Sequence, residues 1–329
     1  MNDEAQKAEP LVLGVPSKGR LEEATTKFFA RAGLKLEKRG GAREYRGNIA
    51  GVDGVDVAYL SASEIAGELA AGSIHLGVTG MDLIHEKLPD PEAQVVTVTE
   101  LGFGFANVVV AVPDSWIDVQ TMDDLEDVAA GFRARHGRRM QLATKYIRLT
   151  RSFFRKHGVV DYRIVESLGA TEGAPASGAA DLIVDITTSG ATLAANHLRV
   201  LSDGEILKSQ ASLVASKNAA WTTSAQQSLK ELLSRIAAEE RARTVFEVRL
   251  VVPEQARLAR ELGDKFGCTV PFGAVAGQGQ LVIHVPKTQI WPATEWLRSR
   301  GASAITIGEL AYVVEPNEER FADVIRALS

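Results

Sequence analysis

Small and hydroxyl-bearing residues cluster in one segment of the chain, directly after an apolar run. Residues 181–185 form a predicted strand that ends at Asp185, and the residues that lead into the next predicted helix include Thr188, Ser189, Gly190, Ala191 and Thr192. Ligands of open α/β sheets bind beyond the carboxyl ends of strands, and the free amides and dipole of a helix N-terminus attract anions. The segment therefore predicts a phosphate site in which Asp185 accepts hydrogen bonds from a sugar. A Ser/Thr-rich turn with a helix cap fits the same residues.

Two cations lie at another junction between a strand and a helix. Lys18 and Arg20 follow the apolar strand predicted at 11–15, and a helix begins near Leu21. The fork of an Arg and the point charge of a Lys could meet phosphate oxygens at such a position. A solvated basic turn also explains the pair, and the spacing alone favours phosphate binding only slightly.

Four further candidates lie near predicted strand ends or close to Asp185 in the sequence. Gly80 follows a short strand and would allow a ligand to approach the backbone, and Asp82 could bond a ligand amine or hydroxyl. Asp82 could equally cap the next helix. Lys145 follows another strand, and Glu172, 13 positions before Asp185, could share its substrate.

The sequence lacks the motifs of several common catalytic sites. Its 6 histidines are scattered without HxH or HExxH spacing, which argues against a histidine metal centre. No GxSxG elbow occurs, and GQGQ at Gly277 lacks the lysine of a P-loop. The single cysteine, Cys268, excludes an internal disulfide framework and a cysteine metal cluster.

The candidate residues lie on segments that alternate between strand and helix patterns. Short apolar strands are predicted at 11–15, 55–60, 76–78, 95–98, 108–112, 141–143, 163–165 and 181–185. Helices are predicted between them, at about 21–32, 63–71, 121–135, 149–157, 174–178 and 192–197. Strands that alternate with helices are typical of parallel α/β sheets.

A change of pattern near Ala220 predicts a domain boundary. Residues 222–243 carry an apolar stripe at helical spacing and form a predicted connecting helix. The order that follows is strand, helix, strand, helix and strand, with the last strand at 311–315. A ferredoxin-like βαββαβ unit results if residues 268–275 supply the remaining strand. The tail, 317–329, is predicted to form a docked helix.

Composition limits the classes of partner. The chain has 329 residues, 45% of them hydrophobic, which suffices for two or three packed domains. A net charge of -5 argues against nucleic acid as a partner. No apolar run approaches the ~20 residues of a membrane span, and residues 1–10 lack the pattern of a secretory signal. We therefore expect a soluble cytoplasmic protein without a membrane partner.

Five motifs occur along the chain between roughly residues 11 and 218. They are PSKGRL at 16–21, GVTGMD at 77–82, ATKY and LTR within 143–151, GATEGAP at 169–175 and ADLIVDITTSGATLAAN at 180–196. Together they resemble the motifs of the ATP phosphoribosyltransferase family, and the last is the most specific. More loosely, TVPFGAV at 269–275 and the segment 283–305 resemble the regulatory domain of the family's long form.

The resemblance implies a catalytic part folded like a two-lobed periplasmic binding protein, with the active site between the lobes. It also implies a C-terminal ferredoxin-like βαββαβ regulatory domain. Residues 1–101, completed by 202–220, would form the first lobe, and 102–201 the second. Residues 221–329 would hold the linker helix, the regulatory domain and the tail helix.

The resemblance also implies roles for the candidate residues. Asp185 and Glu172 would bind the ribose hydroxyls of phosphoribosyl pyrophosphate, and residues 188–192 would bind its 5-phosphate. ATP or the pyrophosphate would be faced across the cleft by four residues, Lys18, Arg20, Gly80 and Asp82. Lys145 would be a further substrate-binding residue.

The implied reaction is the first step of histidine biosynthesis. N1 of adenine attacks C1 of the ribose while pyrophosphate departs, through a transition state of oxocarbenium character that requires no protein nucleophile. Orientation and charge stabilisation would provide the catalysis, and Mg²⁺ would be held mainly by substrate phosphates. The resemblance further implies allosteric inhibition by free histidine and a homo-oligomer, from dimer to hexamer.

The chain also departs from the usual sequence of the family. Phe105, Ala106 and Asn107 stand in a hinge segment that often carries Arg, and Ile147 and Arg148 replace the usual Pro and Asn. An Arg-rich insertion lies within 127–140, and the usual SGS is Leu-Gly-Ala at 168–170. These differences leave an alternative open, a non-catalytic two-lobed ligand-binding protein or regulatory paralogue.

Overall fold

The computed structural model describes residues 9–39, 45–167, 169–274, 279–316 and 319–328, which form two compact units. The larger unit holds the described parts of Met1–Phe28, Leu36–Gln226 and Val324–Ser329, and the smaller unit those of Phe29–Lys35 and Gln227–Asp323. Within the described ranges, no helix is long and apolar enough to cross a membrane.

Strands and helices alternate through the larger unit. Its described strands are β1 Leu11–Pro16, β2 Leu36–Lys38, β3 Arg46–Ile49, β4 Val52–Leu60, β5 Leu76–Gly80, β6 Val95–Glu100, β7 Asn107–Pro113, β8 Met140–Thr144, β9 Tyr162–Glu166, β10 Leu182–Thr187, β11 Leu198–Leu207 and β12 Ala211–Ser216. The helices that accompany them are α1 Gly19–Arg31, α2 Ala62–Ala71, α3 Met81–Lys87, α4 Pro91–Gln94, α5 Met122–His136, α6 Ile147–Lys156 and α7 Ala191–Ala195.

The first sheet has the strand order β2-β3-β4-β1-β5-β12-β6. Strand β1 pairs in parallel with β4 and β5, whereas β12 runs antiparallel to β5 and β6. Strands β5 and β12 are buried along their whole length, as expected for apolar strands that are covered on both faces. This sheet and its helices are called lobe I below.

The second sheet has the order β11-β7-β10-β8-β9, and it and its helices are called lobe II. Strand β10 lies between β7, which is antiparallel to it, and β8, which is parallel. Its core is formed by apolar side chains of the sheet and of helices α5 and α6, among them Val108, Val110, Leu125, Phe132 and Phe154. Because β10 is central, the residues at its carboxyl end are held by strands on both sides.

The chain crosses twice between the two lobes, once between β6 and β7 and once between β11 and β12. Two α/β sheets joined by paired crossovers are the organisation of two-lobed binding proteins, so the predicted fold class is confirmed. The proposed lobe boundaries at 101 and 201 stay a prediction. Strand β11 runs to Leu207 within the second sheet.

The smaller unit contains an antiparallel sheet of order β14-β13-β15. Its elements are β13 Val245–Val252, α9 Gln255–Phe266, β14 Gly279–Pro286, α10 Ile290–Ser299 and β15 Ser303–Glu309. Helix α8, Thr223–Thr244, precedes them, and α11, Glu319–Leu328, follows them in the chain. The order of strands and helices agrees with a C-terminal α/β domain.

Two details of the predicted βαββαβ pattern differ from the structure. Of the strand predicted at 268–275, the described part forms only an isolated bridge between Thr269 and His284. Pro271 has no amide to donate and Gly273 has a φ of 73°, which interrupts a strand. Residue 275, like 317, 318 and 329 of the predicted tail helix, lies outside the described residues.

The last strand of the smaller unit lies earlier than predicted. Strand β15 is at Ser303–Glu309, where Ile305 and Ile307 alternate with smaller or polar residues. Residues 311–315, which were predicted to form this strand, instead include Val313, whose amide donates to the carbonyl of Ala238 on α8 at 2.9 Å. The apolar run alone did not distinguish packing on a helix from pairing in a sheet.

Candidate active site

The candidate site begins at the carboxyl end of β10. Residues 186–192, from the last two residues of β10 to the first two of α7, are called the β10–α7 loop below. They include Gly190, which has a φ of 76° and lies at the N-cap of α7. The amide of Gly190 donates to Thr187 Oγ1 at 2.8 Å, and the amide of Ala191 donates to Ser189 Oγ at 3.4 Å. The loop is therefore held by its own hydroxyl groups in a conformation that presents small residues before a helix.

Asp185 lies just before this loop and is partly buried. Its Oδ1 accepts a hydrogen bond from the amide of Ile186 at 2.8 Å. Burial raises the pKa of Asp185, and the nearby Glu172 carboxylate adds to the increase, whereas the Ile186 amide and Lys145 oppose it. Burial makes the charged form of this carboxylate costly, and hydrogen bonds donated by a ligand would stabilise it.

Glu172 and Lys145 extend the polar surface around Asp185. Glu172 lies in a short 3-10 helix, Thr171–Gly173, which follows Ala170 in a left-handed conformation (φ 50°). Lys145 follows the end of β8 directly and is exposed, and its Nζ lies 5.0 Å from the centre of the Tyr146 ring. A cation and two carboxylates therefore surround the end of the central strands of lobe II.

One cavity brings residues of both lobes together. It has a volume of about 280 Å³ and is lined by Arg20 of lobe I and by residues of the crossover and loop: Phe105, Ala106, Ile186, Thr187, Thr188, Ser189, Ala191 and Thr192. Arg20 is exposed in the first turn of α1 and lines the cavity from the opposite lobe. Lys18, Gly80, Lys145, Glu172 and Asp185 do not line this cavity.

The cavity also includes two residues of the first crossover that the sequence patterns did not assign to it. Phe105 is 52% exposed, and its carbonyl accepts a hydrogen bond from Thr188 Oγ1 at 2.8 Å. The amide of Ala106 donates to the Ser209 carbonyl at 2.9 Å, so the two crossovers are joined beside the cavity. Their position in the hinge segment, just before the strand predicted at 108–112, was the available signal.

Asp82 is bonded within the protein rather than open to a ligand. It is 4% exposed; Oδ2 accepts from the Tyr146 hydroxyl at 2.7 Å, and Oδ1 accepts from the Ser209 hydroxyl at 2.9 Å. Burial and the carboxylates of Asp82 and Asp185 raise the pKa of Tyr146, so its phenol stays protonated as the donor. Gly80 is needed beside this carboxylate, because a Cβ there would overlap Asp82.

Lys18 lies apart from the shared cavity. It is exposed before α1, within the electrostatic reach of the Glu64 carboxylate, which is part of a capping box with Ser61 on α2. Among the described residues, no group of three or more His, Cys, Asp or Glu side chains could hold a metal ion.

The comparisons with known proteins agree on one family. A profile of the family described as "HisG: ATP phosphoribosyltransferase" matches residues 61–238. The chain is 56% identical over 314 residues to the ATP phosphoribosyltransferase of Afipia carboxidovorans, which covers 95% of this chain and 97% of that protein. It is 57% identical over 312 residues to that of Nitrobacter winogradskyi, with 94% and 96% covered.

A solved structure supports the two-lobed fold. The ATP phosphoribosyl transferase (HisG:HisZ) complex from Thermotoga maritima superposes with a TM-score of 0.53 at 23% identity, over 69% of this chain and 95% of that chain. At this identity the similarity concerns the fold alone.

Proposed function

The chain belongs to the ATP phosphoribosyltransferase family, and on this premise we propose that the cleft between lobes I and II is its active site. The enzyme is a pentosyltransferase that condenses ATP with phosphoribosyl pyrophosphate to give N1-(5-phosphoribosyl)-ATP and pyrophosphate, the first step of histidine biosynthesis. The observation that carries the proposal is the cavity in which Arg20 of lobe I faces the β10–α7 loop of lobe II.

Phosphoribosyl pyrophosphate is placed on lobe II. The 5-phosphate lies against Thr188, Ser189, Gly190, Ala191 and Thr192, where backbone amides and hydroxyl groups precede α7. The ribose hydroxyls donate to the carboxylates of Asp185 and Glu172, which relieves the cost of burying Asp185 as an anion. Small residues in the loop let the phosphate approach the backbone.

ATP and the leaving pyrophosphate lie between this sugar site and lobe I. Arg20 and Lys18 contribute positive charge from lobe I, and Lys145 contributes positive charge beside the ribose. Gly80, at the end of β5, makes room for the Asp82 carboxylate. Arginine and lysine are suited to phosphate as a fork and as a point charge, respectively. Lobe II thus binds the phosphoribosyl group, and lobe I contacts ATP and the leaving pyrophosphate.

The reaction is a displacement at C1 of the ribose. A lone pair on N1 of adenine forms the new bond to C1, and the electrons of the breaking C1–O bond leave with pyrophosphate. The protein aligns the two substrates and stabilises the charge on the leaving group, so no side chain has to act as a nucleophile. Asp185 and Glu172 stabilise positive charge that develops on the ribose.

The family is metal-dependent, and we propose Mg²⁺ as the cation. The oxygen donors at the cleft, the Asp185 and Glu172 carboxylates, suit a hard cation, and Mg²⁺ typically keeps few protein ligands and binds through substrate phosphates. Bound to the pyrophosphate oxygens, it would neutralise charge on the leaving group. Chelation of Mg²⁺ should therefore abolish turnover.

The smaller unit is proposed to be regulatory, with free histidine as an allosteric inhibitor. The first catalytic lobe would consist of residues 1–101 and 202–220, and the second of residues 102–201. Residues 221–329 would form the linker helix, the regulatory domain and the tail. We further propose that the protein forms a homo-oligomer, from dimer to hexamer. It would act in the cytoplasm, where ATP and phosphoribosyl pyrophosphate are available. The resemblance of residues 269–275 and 283–305 to the regulatory domain of the family's long form supports the regulatory assignment.

The site assignment is tested with the double variant Ser189→Ala/Thr192→Ala and with Ser177→Ala, a serine whose hydroxyl bonds within its own turn at 3.0 Å. Turnover is followed by the absorbance of phosphoribosyl-ATP, with ATP, Mg²⁺ and pyrophosphatase present. Two lost hydrogen bonds of about 1 kcal/mol each predict a rise of roughly 10- to 30-fold in KM for phosphoribosyl pyrophosphate. An unchanged KM, equal to that of Ser177→Ala, would remove the loop from the site, and a wild-type chain without turnover would support the non-catalytic alternative.

A further inference from the structure

Lobes I and II are joined by more than the two covalent crossovers. The Tyr146 hydroxyl, at the N-cap of α6 in lobe II, donates to Asp82 in the first turn of α3 in lobe I at 2.7 Å. Ser209, on the second crossover, donates to the other oxygen of Asp82 and accepts from its amide, both at 2.9 Å. The Ser209 amide in turn donates to Asn107 Oδ1 at 3.2 Å, next to the first crossover.

A second connection lies one turn further along α3. Glu86 accepts hydrogen bonds from the first amides of α6: those of Arg148, at 2.9 and 3.1 Å to its two oxygens, and of Leu149, at 3.0 Å. The N-cap residue of α6, Tyr146, provides no side-chain cap of its own. The N-terminal amides of a helix need acceptors, and here a carboxylate of lobe I supplies them to a helix of lobe II.

Arg148 strengthens the same contact. Its guanidinium donates to the carbonyl of Pro89, in the turn that follows α3. Position 148 is one at which this chain departs from the usual sequence of the family, and the long Arg side chain reaches lobe I from there. The departure therefore adds a polar contact between lobes.

The contact lies close to the substrate residues. Tyr146 directly follows Lys145, whose ammonium group lies 5.0 Å from the centre of its ring. The Asp185 carboxylate is near enough to raise the pKa of Tyr146, after burial and Asp82. A displacement of α3 relative to α6 would therefore move the cations and carboxylates of the cleft relative to one another.

We propose that Glu86 and Tyr146 are positioning residues that hold α3 against α6 and so fix the angle between lobes I and II, keeping Arg20 opposite the β10–α7 loop. The inference rests on the proposed function for its kinetic consequence only. Because substrates on two lobes must meet at bonding distance, a small change in the angle lowers the rate even when both substrates bind. Neither residue needs to touch a substrate.

The first test uses the full-length protein and compares Glu86→Gln with Asp124→Asn. Asp124 is a matched control, because it caps α5 within lobe II by accepting the amides of Gln120 and Thr121 at 2.9 and 2.8 Å. Hydrogen exchange should speed up at the amides of Arg148 and Leu149 and in α3 for Glu86→Gln, but only around α5 for Asp124→Asn.

Kinetics then separate positioning from simple capping. Glu86→Gln should lower kcat/KM roughly 10- to 100-fold for both substrates, whereas Asp124→Asn should stay near the wild-type values even if its Tm falls equally. Tyr146→Phe should follow Glu86→Gln, and Arg148→Ala should give a smaller loss of the same kind. If Tyr146→Phe does not fold, the kinetics of Glu86→Gln and Arg148→Ala still test the positioning role.

Two results would overturn the proposal. One is equal kinetics for Glu86→Gln and Asp124→Asn, which would make Glu86 a helix cap only. The other is a kinetic loss in Glu86→Gln without faster exchange in α3 and α6. The hydrogen-exchange measurement does not depend on where phosphoribosyl pyrophosphate binds. Failure of the loop assignment, tested by Ser189→Ala/Thr192→Ala, can therefore be distinguished from failure of the positioning role of Glu86 and Tyr146.

Discussion

Two aspartates lie at the start and the end of β10 and have opposite electrostatic surroundings. Asp181 lies just before β10 and is partly buried, which by itself would raise its pKa. Hydrogen bonds from Arg138, at 2.6 and 2.8 Å, and from the Gln141 amide outweigh this effect, so the pKa of Asp181 is lowered. Asp185, at the other end, has a raised pKa because of burial. The first carboxylate stabilises the fold, whereas burial makes the charged form of the second costly, a cost that hydrogen bonds from the proposed substrate would reduce.

At neutral pH, Asp185→Asn should weaken binding of phosphoribosyl pyrophosphate without loss of stability. A hydrogen bond to a charged group contributes about 1.5–3 kcal/mol, so kcat/KM for this substrate should fall by roughly 10- to 150-fold. The Tm should equal or exceed that of the wild type, because the buried charge is removed. The matched control, Asp181→Asn, should keep its KM and lose about 2–8 °C of Tm; a lower Tm and an unchanged KM in Asp185→Asn would contradict the assignment.

The same pair predicts how stability depends on pH. The folded-state pKa of Asp181 is lowered, so its stabilisation is present above the unfolded pKa and is lost as the pH falls through the folded pKa. Asp185 has a raised folded-state pKa, so its ionisation reduces stability as the pH rises. As the pH is lowered from neutral, the difference in Tm between Asp181→Asn and the wild type should become smaller. Any increase in Tm of Asp185→Asn over the wild type should become smaller as well. Differences that do not change with pH would contradict both electrostatic assignments.

Among the elements, the junction of β10 and α7 determines the shape of the proposed phosphate site. Gly190 adopts a φ of 76° there, and a Cβ at this position would have no neighbour within 4 Å. The cost of a side chain is therefore one of backbone conformation and not of collision. Gly178, in the turn before β10, has a φ of 73° and equally open surroundings.

Gly190→Ala and Gly178→Ala should therefore destabilise the protein alike but differ in function. Each places a non-glycine residue in the left-handed region, which costs about 1–2 kcal/mol and lowers Tm by roughly 2–8 °C. Only Gly190→Ala should raise KM for phosphoribosyl pyrophosphate, because its strain is relieved by a change in the loop. Equal KM values in the two variants would show that the conformation of Gly190 is not required for binding.

The site could be predicted in part from these elements. The strand, the loop and the helix from 181 to 197 were predicted from local pattern, because apolar residues, turn residues and a helix N-terminus follow one another in the sequence. The roles of Phe105, Ser209 and Tyr146 could not be predicted, because their partners lie far away in the chain. For the contact between α3 and α6, the sequence signal was the spacing of Asp82 and Glu86, since four positions place both on one face of α3.

For the whole molecule, the two units have different proposed tasks. The larger unit holds lobes I and II, and the smaller one has its own core of residues from β13, β14, α9 and α10, among them Leu250, Leu262, Ile283, Ala293 and Leu297. A separate core allows a ligand to stabilise the smaller unit without contacting the cleft. Allosteric inhibition requires such a second site.

Free histidine should therefore inhibit turnover and slow hydrogen exchange within 245–309 of the full-length protein. A saturating ligand at 100 times its Kd contributes about 2.7 kcal/mol of stability, so a rise in Tm should accompany the inhibition. Size-exclusion chromatography with light scattering, with and without histidine, would give the oligomeric state. Inhibition with slower exchange only at the β10–α7 loop would indicate competition at the cleft and contradict the regulatory assignment.

The sequence by itself determined the α/β class, the family and the segment from Asp185 to Thr192, because these depend on residues that are neighbours in the chain. It misplaced the last strand of the smaller unit, since an apolar run can pack on a helix or pair in a sheet. Only the tertiary structure decided that Asp82 bonds Tyr146, 64 positions away, and that Glu86 caps a helix 62 and 63 positions further on. These contacts form only when the two lobes fold together, so no local pattern could reveal them.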